Sequence, residues 1–134
     1  MILNVNAQII NNSDKEYWNN LIEAIIKIES KGNVNAISLD KSCVGILQIK
    51  KVVVDDCNEY LKTKKYCLND RYNKEKSIEM FILIQKRYNK KRDIDEAIKI
   101  WNGGCGYKKS KRIKEINIYH NKVIIEYNKI KGKN

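Results

Sequence analysis

The chain has 134 residues, which is enough for one domain with a real core and too few for two. Hydrophobic residues make up 43% and charged residues 32%, the balance of a globular chain rather than a disordered one, and no run approaches the ~18 apolar residues of a membrane span. The net charge of +11 is uneven: residues 1–60 carry 6 basic and 8 acidic side chains, 61–107 carry 12 and 6, and 108–134 carry 9 and 2. That pattern fits either a solvated basic tail or attraction to a polyanion, whether nucleic acid, a membrane surface or an anionic cell wall.

Residues 1–12 read as an extended or irregular lead-in. The first twenty residues have no positively charged start, apolar run or small-residue cleavage site, so no secretory leader is expected. Ser13 followed by Glu16 has the spacing of a capping box and opens an amphipathic helix, with Trp18, Leu21, Ile22, Ile25 and Ile26 at helical intervals. Gly32 is a natural stop, which places the end near Ser30. From 33 to 49, Asn33, Asn35, Ser38 and Asp40 indicate turns, and Val44 to Ile49 reads as a short strand or buried loop.

A second helix is expected over about 51–64, with Val53, Cys57, Tyr60 and Leu61 on one face, followed by a polar connection at 65–73. The helix at 74–89 is strongly apolar: Ile78, Phe81, Ile82, Gln85 and Tyr88 trace a stripe that Met80 and Ile84 widen, so it should be central. Asp93 can cap a short helix bearing Ile94, Ala97, Ile98 and Trp101, broken by Gly103, Gly104 and Gly106. Ser110 then starts a last helix with Ile113, Ile116, His120, Val123, Ile124 and Tyr127 in register. The fold class is mostly α, of an α+β type: a single helical domain over 1–134 with a small irregular or β element after the first helix.

The four cysteines at 43, 57, 67 and 105 contain no C-x-x-C pair, and His120 is the single histidine, which argues against a zinc site. Two disulfides are conceivable, but free thiols are the simpler expectation for a chain of this size. His120 fits a packed structural histidine better than a proton shuttle. The basic run from Lys108 to Lys114 fits a solvated face better than a phosphate site.

Glu29 stands four residues after Ile25, seven after Ile22 and eight after Leu21, on the apolar stripe of the first helix. Desolvation there disfavours the charged carboxylate, and the negative end of the helix dipole acts in the same direction. Both favour a protonated acid near neutral pH, which is the state a general acid for glycosidic cleavage requires. A glutamate at a helix end that swings into solvent is the plainer alternative on periodicity alone.

The surrounding residues narrow the choice. Glu29-Ser30-x-Gly32-Asn33, then Gly45-Ile46-Leu47-Gln48, then Trp101-Asn102-Gly103-Gly104 occur in that order. The arrangement resembles the lytic transglycosylase and goose-type lysozyme superfamily, whose members read Glu-Ser-x-Gly-Asn, Gly-Leu-Met-Gln and Ala-Tyr-Asn-x-Gly. The resemblance runs from about residue 15 to residue 128. The segment from Asp70-Arg71-Tyr72-Asn73 to Lys76-Ser77-Ile78-Glu79-Met80-Phe81 is similar to a compact subgroup found in bacteroidete and phage sequences.

The resemblance implies cleavage of the β-1,4 bond between N-acetylmuramic acid and N-acetylglucosamine in peptidoglycan, with Glu29 as catalytic acid. Ser30 would support it or contact substrate. Gly45, Ile46, Leu47 and Gln48 would form one wall of the sugar groove, with Gln48 offering amide hydrogen bonds, and Trp101 and Asn102 would form the other. Trp101 stands where the family has tyrosine, so a phenolic hydroxyl beside the acid is missing there, and an indole N–H can donate but not accept. Trp101 also continues the stripe of Ile94, Ala97 and Ile98, so a core role is equally open.

Many glycosidases use a second carboxylate. Asp40, Asp55 and Asp56 fall in no such motif and read as solvated surface acids. Substrate assistance is then the expected mechanism, with a 1,6-anhydro product and no metal or cofactor. Rival readings are a hydrolytic lysozyme, a cell-wall-binding module that keeps the fold without catalysis, and a basic nucleic-acid binder, for which no recognisable motif exists. Partners would be glycan strands and, for delivery without a leader, a phage virion or secretion machine. The expected place of action is the bacterial cell wall.

Overall fold

A computed structural model describes residues 10–133. The expected lead-in at 1–12 therefore lies largely outside the described residues. The helix begins earlier than Ser13: α1 spans Asn12–Ser30, and its cap is Asn11. Asn11 Oδ1 accepts from the Asp14 backbone N–H, while Asp14 Oδ2 accepts from that of Asn11. The reciprocal pair is the one expected of Ser13 and Glu16, shifted two residues towards the N-terminus. Lys31 and Gly32 both take positive φ and end the helix.

Helix α2 spans Lys51–Leu61, three residues shorter than expected at its C-terminus because Lys62 turns left-handed, at φ 56°. The connection at 65–73 contains a 3-10 turn over Leu68–Tyr72. Helix α3 (Lys74–Tyr88) is capped by Asn73, and α4 (Ile94–Gly103) by Asp93 as expected. The last helix, α5, covers Ile113–Lys133 and starts after a 3-10 turn at Tyr107–Lys109, so Ser110 is not its first residue.

The β element between α1 and α2 consists of two isolated antiparallel bridges, Ile37 with Val44 and Val44 with Ile49. All four cysteines are free thiols, with Cys57 buried. Among the described residues, no helix is long and apolar enough to cross a membrane.

Helix α3 is the centre of the core, with Met80 through Gln85 buried in succession. A helix buried on most of its circumference needs neighbours on several sides. Helices α1, α2 and α4 all pack against it, and α5 closes over α1 and α4. An aromatic chain crosses this core: Trp18 of α1 meets Phe81 of α3 edge-on at 5.8 Å, and Phe81 meets Trp101 of α4 at 5.0 Å. Edge-to-face pairs of this kind add ~0.5–1.5 kcal/mol each beyond the area they bury. The chain also carries the rigidity of the core to the position of Trp101.

The 33–50 segment is tied down by backbone contact rather than by a sheet. Gly45 has φ +85°, and a Cβ placed there would lie 1.8 Å from the Arg71 carbonyl oxygen. Only glycine allows the loop to rest on the 3-10 turn so closely. Arg71 secures the same junction by donating from Nη1 to the Ile49 carbonyl at 3.1 Å.

Candidate active site

The end of α1, the 43–50 loop, α2, α3 and the end of α4 enclose a groove of about 400 Å³ lined by Glu29, Gln48, Trp101 and Asn102. Residues 73 positions apart in the chain, Glu29 and Asn102, thus share one concave surface.

Burial of the Glu29 side chain pushes its pKa from 4.5 up to about 7, partly opposed by the nearby Tyr119 hydroxyl. The Tyr119 hydroxyl comes from the first half of α5 and is buried without a well-formed hydrogen bond to any group, Glu29 included. Burial and the neighbouring Glu29 hold its own pKa well above the usual phenol value. The phenol therefore stays a neutral donor facing the carboxyl. A phenolic hydroxyl near Glu29 thus comes from α5, a different helix from that of Trp101.

Ser30 does not line the groove. Its hydroxyl donates to the Ile46 carbonyl at 2.7 Å and fastens the end of α1 to the 45–48 segment. Of that segment only Gln48 faces the groove; Gly45, Ile46 and Leu47 are buried behind it. The expected wall of four residues is one exposed amide on a buried support. The reason is the close seating of Gly45 on Arg71, which turns the two apolar side chains into the core.

Gln48 adopts a left-handed backbone, φ 52°, costly for a residue with a side chain. Its Nε2 donates to the carbonyls of Ala36 at 3.1 Å and Gly45 at 2.9 Å, which holds that conformation. Both amide protons are thereby used within the loop, and no protein hydrogen bond to Oε1 is seen among the described residues.

Trp101 is both a core and a groove residue. Its ring stacks edge-on against Phe81, and its indole N–H donates to the Leu47 carbonyl at 3.3 Å, so that N–H is not free for Glu29. The bond joins the two walls of the groove. Asn102 Oδ1 is buried with no hydrogen-bond partner, an acceptor positioned in the groove wall.

Asp56, expected to be a surface acid, also lines the groove. It forms an ion pair with Arg87, and Tyr88 Oη donates to its Oδ2 at 2.8 Å. Asp40 and Asp55 lie outside the groove lining. Asp40 accepts from the Ser42 backbone N–H and from the Ser38 and Ser42 hydroxyls, and these hydrogen bonds lower its pKa to about 2. Asp55 pairs with Lys51 one turn away. His120 ties α5 to α4 through Asp95, with 2.6 Å between Nε2 and Oδ1. That is a structural bridge at the surface rather than a packed core position.

Tyr119 and Arg112 are groove or carboxyl neighbours that reading the sequence did not single out, and Asp56 is one that it set aside as a surface acid. Tyr119 had a signal: it lies three residues after Ile116 and four before Val123, both fully buried, so its side chain turns inward. Asp56 and Arg112 had none.

A family model described as Transglycosylase SLT domain matches residues 7–134. No curated protein and no solved structure matches the chain.

Proposed function

The chain belongs to the Transglycosylase SLT domain family, whose members are enzymes that cut peptidoglycan, and from that premise we propose that Glu29 is its single acid/base. The observation that carries this reading is a carboxyl with its pKa pushed up to about 7, inside a groove shared with Gln48, Trp101 and Asn102. An ordinary surface glutamate is fully ionised at pH 7 and cannot protonate a leaving group; this one is about half protonated.

In the proposed reaction the β-1,4 bond between N-acetylmuramic acid and N-acetylglucosamine is cut without a second catalytic carboxylate. Glu29 gives its proton to the glycosidic oxygen as the C1–O bond breaks. The oxygen of the muramic 2-acetamido group attacks C1 and stabilises its positive charge. The Glu29 carboxylate then takes the proton from the same sugar's C6 hydroxyl. O6 bonds to C1, the acetamide is released, and a 1,6-anhydro ring forms with Glu29 protonated again. Tyr119 suits both halves of this cycle, since a phenol can donate to a neutral acid and donates more strongly to the carboxylate that follows. Asp56 is occupied by Arg87 and Tyr88 and is assigned no proton transfer.

The test is product analysis of purified sacculi. Wild-type protein should release anhydro-muropeptides, and Glu29→Gln should lower release by at least ~10³-fold. Fragments heavier by one water would replace the anhydro mechanism with hydrolysis, and undiminished release by Glu29→Gln would remove Glu29 from the chemistry.

A further inference from the structure

Among the described residues three buried side-chain atoms have no hydrogen-bond partner: Asn102 Oδ1, Tyr119 Oη and Gln85 Nε2. The first two accompany Glu29 and its groove. Gln85 does not. It lines a separate pocket of about 450 Å³ with Asp14, Lys86, Lys90 and Arg92, and the two pockets share no lining residue. Asp14 and Glu29 stand near opposite ends of α1, roughly 22 Å apart along the helix axis.

The orientation of the Gln85 amide is fixed. Its Oε1 accepts from Asn89 Nδ2 at 3.0 Å. Asn89 is itself held by Asp93, whose carbonyl accepts from Nδ2 and whose backbone N–H donates to Oδ1. Exchanging the oxygen and nitrogen of Gln85 would set two donors against each other, so Nε2 has to point away from Asn89. The residue is 1% exposed, so its donor has given up water and gained no acceptor in return.

The pocket around it is cationic. Lys86 and Arg92 both approach Asp14, at 3.1 and 3.6 Å, and the Arg92 guanidinium lies 4.0 Å from the centre of the Tyr17 ring, which steadies it. Lys90 is exposed and has no ion pair or hydrogen bond among the described residues. Three cations thus face one carboxylate that is already matched. The C-terminal end of α3 adds about half a negative charge, too little to reverse the balance. The complement to this lining is an anion with several acceptor oxygens. A carboxylate offers two in one plane. A phosphate offers them in tetrahedral directions, which suits an amide on α3 and an ammonium and a guanidinium on the turn after it.

We infer that this pocket binds a phosphate group, with Gln85 Nε2, Lys90 and Arg92 as donors, as a second site separate from the glycan groove. The same donors serve free phosphate and the phosphodiester of a glycerol phosphate polymer.

The test is a titration of the whole ¹⁵N-labelled protein at constant ionic strength with inorganic phosphate, with a glycerol phosphate oligomer and with acetate. Phosphate is expected to shift the side-chain amide signals of Gln85 saturably, and acetate to leave them in place. Tighter binding of the oligomer per phosphate identifies the polymer as the source, and tighter binding of inorganic phosphate identifies the free ion. Lys90→Ala, which removes no contact within the fold, should weaken phosphate binding about three- to tenfold, and Gln85→Met by about tenfold or more. Thermal unfolding establishes that each variant is folded, and Lys90→Ala alone decides the matter if Gln85→Met is not. Gln85 signals that do not move, an equal response to acetate, or an affinity unchanged in Lys90→Ala overturns the site. None of these readouts involves glycan cleavage, so the result stands apart from the role of Glu29.

Discussion

At the residue scale, the exceptional feature is a carboxyl that loses its proton near pH 7 instead of near 4.5. Two consequences follow with opposite practical value. As an acid, Glu29 must be protonated in the free enzyme, so kcat/KM should fall about tenfold per pH unit above 7. Tyr119 opposes the rise in pKa, so Tyr119→Phe should move that alkaline limb to higher pH. A limb that moves to lower pH, or stays, removes Tyr119 from contact with the acid. The same burial costs stability. Because the folded-state pKa lies above the unfolded one, the folded protein binds the proton more tightly. The favourable contribution is complete below pH 4.5 and is lost as pH rises through 7. The gap between 4.5 and about 7, at 1.36 kcal/mol per pH unit, corresponds to ~3 kcal/mol. Glu29→Gln should therefore be inactive yet more stable than wild type at pH 8, with the difference vanishing towards pH 4, as read by urea unfolding.

At the element scale, the groove depends on a loop with almost no regular structure, held by one glycine. Gly45 combines a positive φ with a backbone neighbour 1.8 Å from where a Cβ would sit, whereas Gly104 has φ +83° and nothing within 4 Å. Gly104→Ala incurs backbone strain alone, about 1–3 kcal/mol. Gly45→Ala must also push the Arg71 turn away, and should lose several kcal/mol more, measured as a shift in urea midpoint or failure to fold. Equal losses at the two positions would mean that the loop does not bear on Arg71 as described. The elements themselves were legible in the sequence where their signals were local. Asp93 caps α4 as expected, and the stripe through Phe81 and Gln85 identified the buried helix. The start of α1 was misplaced because Asn11–Asp14 and Ser13–Glu16 offer the same three-residue spacing, and spacing alone cannot decide which pair closes. The site divides in the same way. Glu29, Gln48, Trp101 and Asn102 sit in contiguous motifs. Tyr119, Asp56 and Arg112 reach the acid or its groove only through the packing of α5 on α1, of α2 on α3 and of the 104–112 turn, which no local pattern encodes.

At the scale of the whole molecule, the charge is segregated along the chain. Residues 1–60 are net −2, while residues 61–134 carry 21 basic and 8 acidic side chains, net +13. Catalysis at a neutral bond does not require this; residence on an anionic polymer does. The range of such attraction is set by salt, with a Debye length of ~30 Å at 0.01 M and ~8 Å at 0.15 M. Many exposed lysines thus act together at low salt and only at contact at physiological salt. Rates on whole sacculi should fall as salt rises between those two concentrations, whereas rates on a neutral N-acetylglucosamine oligomer should change little. Replacing Lys108, Lys109 and Lys111, all exposed, by Gln should flatten the dependence on sacculi without touching the oligomer rate. If salt instead affects both substrates alike, the basic surface does not serve wall binding. The remaining use for such a charge is another polyanion, and salt-sensitive retention of the protein on DNA would then be the measurement that distinguishes the two.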